Sequence, residues 1–192
     1  LRRLESYNAR ANSRLDDIES YDDDANPADA VASLLVARGW RGKRVAIDKG
    51  AWFLTVNLHD RLVAGFQPLL DGAGIVEPLR RVKSPLELDF IEKAAGINDI
   101  GMRAGIAAVR EGATDNDLVA AIMGEAIRAG SEYVGMEPLV NTGARSGIPH
   151  ATWRRKVMHQ GEPAVLESSA AYNRYHATTY RTRWLGQAPA AP

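Results

Sequence analysis

The sequence contains no cysteine among its 192 residues. Disulfide bonds and thiolate metal sites are therefore excluded. The chain also lacks an apolar run close to the roughly 20 residues that a bilayer-spanning helix requires, and no signal peptide is visible. These absences predict a cytoplasmic protein without a membrane partner.

The chain also carries no excess of charge of either sign. Lys plus Arg and Asp plus Glu number 24 each, so the formal net charge is +0. This balance does not favour a nucleic-acid partner or a polybasic membrane contact. Hydrophobic residues make up 45% of the chain, which is enough for one good core or two small ones.

The first part of the chain has the pattern of a small α/β domain. Asn26 and Pro27 form an N-cap followed by proline in the first helical turn, a typical helix start. The predicted elements are an edge strand at 15–21, a helix after Asn26, a strand at 44–48, a helix at 53–66 and a strand opening at 75–76. Their helix–strand alternation favours an α/β arrangement.

The second part begins with two long helices and continues into strands. Ser84 with Glu87, and Thr114 with Asp117, have the spacing of capping boxes. Apolar residues then recur every three to four positions, as in amphipathic helices. Strands are predicted around 138–141, 164–167 and 175–183, with a turn at Asn173 and Arg174. The fold class is therefore α/β (α+β), with domains at 1–83 and 84–192.

Acid–base side chains gather on these last strands. Glu167 ends an apolar run, and His176, Tyr180 and Arg181 lie on the following strand. His150 stands upstream, beside Pro149 and close to Trp153. An imidazole titrates near neutrality and moves protons in either direction, so this combination indicates a small-molecule hydrolase.

Each of these residues also has a structural interpretation. A lone histidine in a loop is more often exposed than catalytic, and a strand arginine such as Arg181 often pairs with a neighbouring carboxylate. Glu167 is compatible with a salt bridge in the core. Residue chemistry alone leaves these alternatives open.

The motifs resemble those of the creatinase, prolidase and aminopeptidase P family, which has the pita-bread fold. The matching frame comprises Leu79-Arg80…Lys83-Ser84…Glu87, Pro149-His150, Gly161-Glu162…Glu167 and Tyr175…Thr178…Arg181-Thr182. The resemblance implies part of an N-terminal creatinase-like α/β domain, followed by the first half of a pita-bread catalytic domain. It also implies that the chain is a piece of a longer protein and that the full-length protein is a homodimer.

The resemblance also implies roles for individual residues. His150 matches the active-site histidine that binds substrate or shuttles a proton. The metal-dependent relatives carry two aspartates on these strands, and here those positions hold Glu167 and Thr178. Glutamate is longer and threonine is neutral, so we expect the paired metal site to be lost. The predicted site comprises His150 and Glu167 as catalytic residues, with His176, Tyr180, Arg181 and Trp153 binding substrate and no metal ligand.

Three functions remain open on this basis. The leading one is a metal-independent hydrolase that cleaves an amide or amidine C–N bond in a small charged or zwitterionic compound, as creatinase and ectoine hydrolase do, without a cofactor. Creatinase has Glu where this chain has Tyr180, so creatine itself is not the favoured substrate. The second is an Xaa-Pro metallopeptidase using Mn²⁺ or Co²⁺, and the third is a non-catalytic binding module.

Overall fold

The computed structural model describes residues 1–188, and the chain divides into two units, Leu1–Val82 and the part from Lys83 onward. The boundary predicted from the sequence lies one residue later. The last four residues of the predicted second domain, 189–192, lie outside the described residues. Among helices within 1–188, none combines the length and apolar character that crossing a bilayer requires.

The first unit is a mixed helix and strand structure. Two three-residue strands pair in parallel, with Val45 opposite Leu69. The side chains of Asn26 and Thr55 cap the helices that begin at Pro27 and Val56. After a 3-10 turn at Arg3–Glu5, the elements are α1 (Ser6–Asn12), α2 (Pro27–Ala37), β1 (Val45–Ile47), α3 (Val56–Gly65), β2 (Leu69–Asp71) and α4 (Glu77–Arg81).

Two predicted strands in this unit were wrong. Residues 15–21 form no strand and contribute one isolated bridge, between Arg2 and Tyr21, because the segment is largely exposed and has no apolar face to bury. Residues 75–76 lie in the turn before α4, where Pro78 in the first helical turn favours a helix start. The parallel partner of β1 lies earlier in the chain, at Leu69–Asp71.

The second unit packs two long helices against an antiparallel sheet. Both predicted capping boxes are confirmed, at Ser84 and at Thr114. The three strands of this sheet lie side by side in the order in which they occur in the sequence. The elements are α5 (Pro85–Ala107), α6 (Asp115–Arg128), β3 (Leu139–Thr142), a 3-10 helix at Gly143–Gly147, β4 (Pro163–Tyr172) and β5 (Tyr175–Trp184).

One face of the sheet forms the core with the helices. Leu166 on β4 and its neighbour Val140 on β3 are both fully buried. They join Met102 of α5 with Leu118 and Ile122 of α6 in one apolar cluster. Successive strand residues point to opposite faces, so Val165 and Glu167 lie on the face away from the helices.

Close contact between α5 and α6 depends on glycine. A Cβ atom on Gly101 would lie 2.8 Å from the Ile122 carbonyl oxygen and 3.1 Å from the Ala126 Cβ. The carbonyl belongs to the α6 backbone and cannot rotate away, so a side chain at residue 101 would push the helices apart. By contrast, a Cβ atom on Gly96 of the same helix would meet nothing within 4 Å.

We predict that Gly101→Ala destabilises the protein by roughly 1–3 kcal/mol, the usual cost of overpacking. Gly96→Ala is the matched control and should stabilise the protein by up to about 1 kcal/mol, because alanine is the better helix former. Urea unfolding of both variants measures the difference. Equal effects at the two positions would show that close helix packing is not the determinant.

Candidate functional site

A groove of about 350 Å³ lies on the face of the sheet opposite the helices. Its walls come from β3, β4 and β5, from the end of the 3-10 helix and from the loop that follows it. Three of the predicted site residues, His150, Glu167 and Tyr180, line this groove together. The complete lining is Leu139, Asn141, Ser146, Gly147, Ile148, Pro149, His150, Val165, Glu167 and Tyr180.

Strand register brings Glu167 and Tyr180 side by side. Glu167 on β4 pairs with Tyr180 on β5 and with Leu139 on β3. Residues directly opposite each other in an antiparallel pair project from the same face, with Cβ atoms about 5 Å apart. The half-buried carboxylate therefore shares the groove face with the more exposed phenol of Tyr180.

His150 reaches the groove from a loop with an unusual backbone. Its φ angle is 54°, in the left-handed region that residues other than glycine seldom adopt. Within residues 1–188 neither the His150 imidazole nor the Glu167 carboxylate takes part in a hydrogen bond or ion pair. Both groups are therefore available to a bound molecule.

Helix α6 holds the segment that follows His150. The Asp115 carboxylate is fully buried in the first turn of α6. It accepts hydrogen bonds from the backbone N–H groups of Arg154 at 2.9 Å and Lys156 at 3.0 Å. The Asn116 side chain accepts from the Arg155 N–H at 2.9 Å. Residues 154–156 are thus fixed to the N-terminus of a long helix, which limits the movement of the His150 loop.

A second carboxylate fixes the other end of this segment. Glu162 forms an ion pair with Lys156 at 2.9 Å and accepts a hydrogen bond from the His159 N–H at 2.8 Å. Partial burial raises the pKa of Glu162, but these two partners outweigh it and leave the pKa below its ordinary value. Glu162 therefore has a structural partner, whereas Glu167 has none within the described part of the chain.

Three predicted substrate-binding residues lie outside the groove. Trp153 packs against the apolar core cluster. His176 lies on β5, four residues before Tyr180, and its ring forms a hydrogen bond with the Tyr133 hydroxyl at 2.7 Å. Arg181 follows Tyr180 directly and so projects from the opposite face of the strand; its guanidinium donates to the Tyr180 carbonyl at 2.7 Å.

Asn141 is a polar groove residue that the sequence did not reveal. Asn141 lies on β3, two residues after Leu139, which pairs with Glu167. Residues two apart on a strand share a face, so Asn141 projects from the same face as Glu167. Its position in the groove depends on strand register, which residue spacing alone did not determine.

The described residues do not fit a pair of metal ions. Thr178 pairs with Ser169 and therefore lies on the same face of the sheet as Glu167, so the two positions at which the family resemblance implies aspartates share this face. They supply one carboxylate and one neutral hydroxyl. Within residues 1–188, no three His, Asp or Glu side chains come together as a metal site.

The antiparallel sheet, its two covering helices and the groove define part of a pita-bread domain. A model of metallopeptidase family M24 matches residues 89–191, more than half of the chain. The chain therefore belongs to this family.

Known relatives support the assignment at modest identity. Ectoine hydrolase from Halomonas elongata is 28% identical over 179 residues, which cover 86% of this chain and 45% of that protein. Xaa-Pro dipeptidase from Pyrococcus furiosus is 29% identical over 112 residues, covering 58% of this chain and 32% of that protein. The chain thus spans less than half the length of these curated relatives.

Solved structures share the fold. The X-Pro aminopeptidase from Thermotoga maritima superposes with a TM-score of 0.87 at 20% sequence identity. The superposition covers 99% of this chain and 51% of the aminopeptidase chain. The two units of this chain thus have counterparts in a longer protein of the same fold.

We predict that Asp115→Asn loosens the segment after His150, because an amide offers one acceptor oxygen where the carboxylate offers two. The expected cost is about 1–3 kcal/mol in the free energy of unfolding, as for a buried group that loses a hydrogen-bond partner. Hydrogen exchange at the Arg154 and Lys156 amides should accelerate. Asn116→Ala is the control and should accelerate exchange at Arg155 alone. The prediction is contradicted if exchange at Arg154 and Lys156 is unchanged in the Asp115→Asn variant.

Proposed function

We propose that the full-length protein is a metal-independent hydrolase that cleaves an amide or amidine C–N bond in a small charged or zwitterionic compound. The observation that carries this proposal is the content of the groove face. His150 and Glu167 both line it, while Thr178 stands where the family resemblance implies the second metal-binding aspartate. The groove thus has side chains suited to acid–base catalysis, and it has fewer carboxylates for a pair of metal ions than the family pattern implies.

In this mechanism His150 acts first as a general base and then as a general acid. The imidazole removes a proton from water, and the water oxygen forms a bond with the carbon of the amide or amidine. The C–N bond then breaks as the protonated imidazole returns its proton to the leaving nitrogen. Glu167 binds the positive charge of the substrate or orients the water, and Tyr180 contributes a hydroxyl hydrogen bond at the same face.

Similarity to ectoine hydrolase over 86% of the chain supports this reading of the substrate class. The second candidate is an Xaa-Pro dipeptidase or aminopeptidase. Its support is the family assignment and the similarity to the Pyrococcus furiosus dipeptidase. It requires Glu167 to hold at least one divalent ion together with ligands from the rest of the protein.

We predict that the full-length protein hydrolyses ectoine in excess chelator. His150→Ala should lower the rate roughly 10²–10⁴-fold, the usual contribution of a general acid–base group. His159→Ala is the matched control, because this exposed histidine does not line the groove. Turnover of ectoine and of an Xaa-Pro dipeptide, each with and without chelator, is the measurement.

Dipeptide cleavage that stops on chelation would replace the proposal with the metallopeptidase. If neither compound is cleaved by the folded full-length protein, the hydrolase assignment for these substrates fails. The non-catalytic binding module would then become the leading interpretation.

A further inference from the structure

Two buried asparagines differ in how their side-chain amides are satisfied. Asn98 of α5 is fully buried and bonds β4 through both ends of its amide. Its Nδ2 donates to the Ser168 carbonyl at 3.0 Å, and its Oδ1 accepts from the Ser168 hydroxyl at 2.8 Å. The role of Asn98 is therefore structural, since it ties the helix to the sheet.

Asn141 has a partner for only one end of its amide. Its Nδ2 donates to the Ala151 carbonyl at 3.0 Å. Rotating the amide by 180° would place Oδ1 against that carbonyl, two acceptors in contact, so the Ala151 bond fixes the orientation. Oδ1 is buried and has no hydrogen-bond donor among residues 1–188.

A buried acceptor without a donor is costly and therefore needs an explanation. Asn141 is 2% exposed and lines the groove that holds His150 and Glu167. A donor that reaches Oδ1 from a molecule bound in this groove would satisfy this acceptor.

The groove around Asn141 favours a positively charged donor. Its lining contains one carboxylate, that of Glu167, and neither lysine nor arginine. No cationic side chain within residues 1–188 neutralises this carboxylate. Hydrogen bonds in which one partner is charged are roughly twice as strong as neutral ones, so a cationic N–H group gains most from two neighbouring acceptors.

We propose that Asn141 determines substrate specificity by accepting a hydrogen bond from a cationic N–H group, an amidinium or protonated amine, whose charge lies against Glu167. This assignment rests on the proposed function, because it concerns the same groove. It predicts selection for cations that carry N–H groups over cations of equal charge that carry none.

The test compares two probes of equal charge in the full-length protein: acetamidinium, which has N–H donors, and tetramethylammonium, which has none. Dissociation constants come from NMR titration in the presence of chelator. We expect acetamidinium to bind the wild type at least tenfold more tightly than tetramethylammonium, and Asn141→Leu to weaken acetamidinium roughly ten- to hundredfold. Tetramethylammonium affinity should stay within about twofold, because it makes no hydrogen bond.

Asn98→Ala is the matched control, a buried asparagine outside the groove whose loss should lower stability and leave the ratio of the two affinities unchanged. The ratio is measured within each variant, so general loosening of the fold weakens both probes together. If Asn141→Leu does not fold, the smaller Asn141→Ala replaces it with the same expected change in ratio.

An unchanged ratio in the folded Asn141 variant would overturn the proposal, as would a wild type that does not prefer acetamidinium. These outcomes are read from binding alone and do not depend on turnover. Failure of ectoine hydrolysis with the affinity ratio as expected would therefore reject ectoine as the substrate and retain the role of Asn141.

Discussion

Side-chain alternation along β4 determines what the site contains. Leu166 and Ser168 face the helices, and Glu167, the one residue between them, faces the groove. A shift of one residue in the pairing of β4 would move its apolar side chains into solvent and bring Glu167 into the core. The energy of burying Leu166 is therefore also what keeps the carboxylate at the groove.

Two kinds of interaction oppose such a shift. Leu166 packs beside Ile122 in the apolar cluster, and the Asn98 amide holds both the carbonyl and the hydroxyl of Ser168. The Asn98 amide selects one strand register, because its donor and its acceptor both bond Ser168. The apolar contact is less selective. Buried polar pairs of this kind select one arrangement among several with similar apolar burial.

Features set by nearby residues could be predicted from the sequence. The capping boxes at Ser84 and Thr114 involve residues three apart, and the β4–β5 turn is marked by Asn173 and Arg174, whose φ angles are both positive. Pairings between distant residues could not. Asp115 bonds backbone groups 39 and 41 residues away, and no local pattern encodes that contact.

The candidate site was predictable to the same extent. Family motifs singled out His150 and Glu167, and the acid–base side chains on the last strand included Tyr180. Strand spacing left the face of each side chain undecided. Arg181 shows the consequence: it is adjacent to Tyr180 in sequence and projects from the other side of β5. Asn141 lacked a motif, and its position became visible only through the pairing of β3 with β4.

Both candidate functions place a positive charge beside Glu167. A carboxylate that forms no ion pair attracts a positive charge placed beside it, and this attraction is stronger in a groove than in open water. In the hydrolase the substrate brings this charge; in the metallopeptidase a divalent ion does. An ion also needs several further oxygen or nitrogen donors, whereas an N–H cation needs only acceptors, and Asn141 Oδ1 is such an acceptor on the same face of the sheet. On the proposed function, a cationic N–H group in this groove therefore uses the Glu167 carboxylate and Asn141 Oδ1 together.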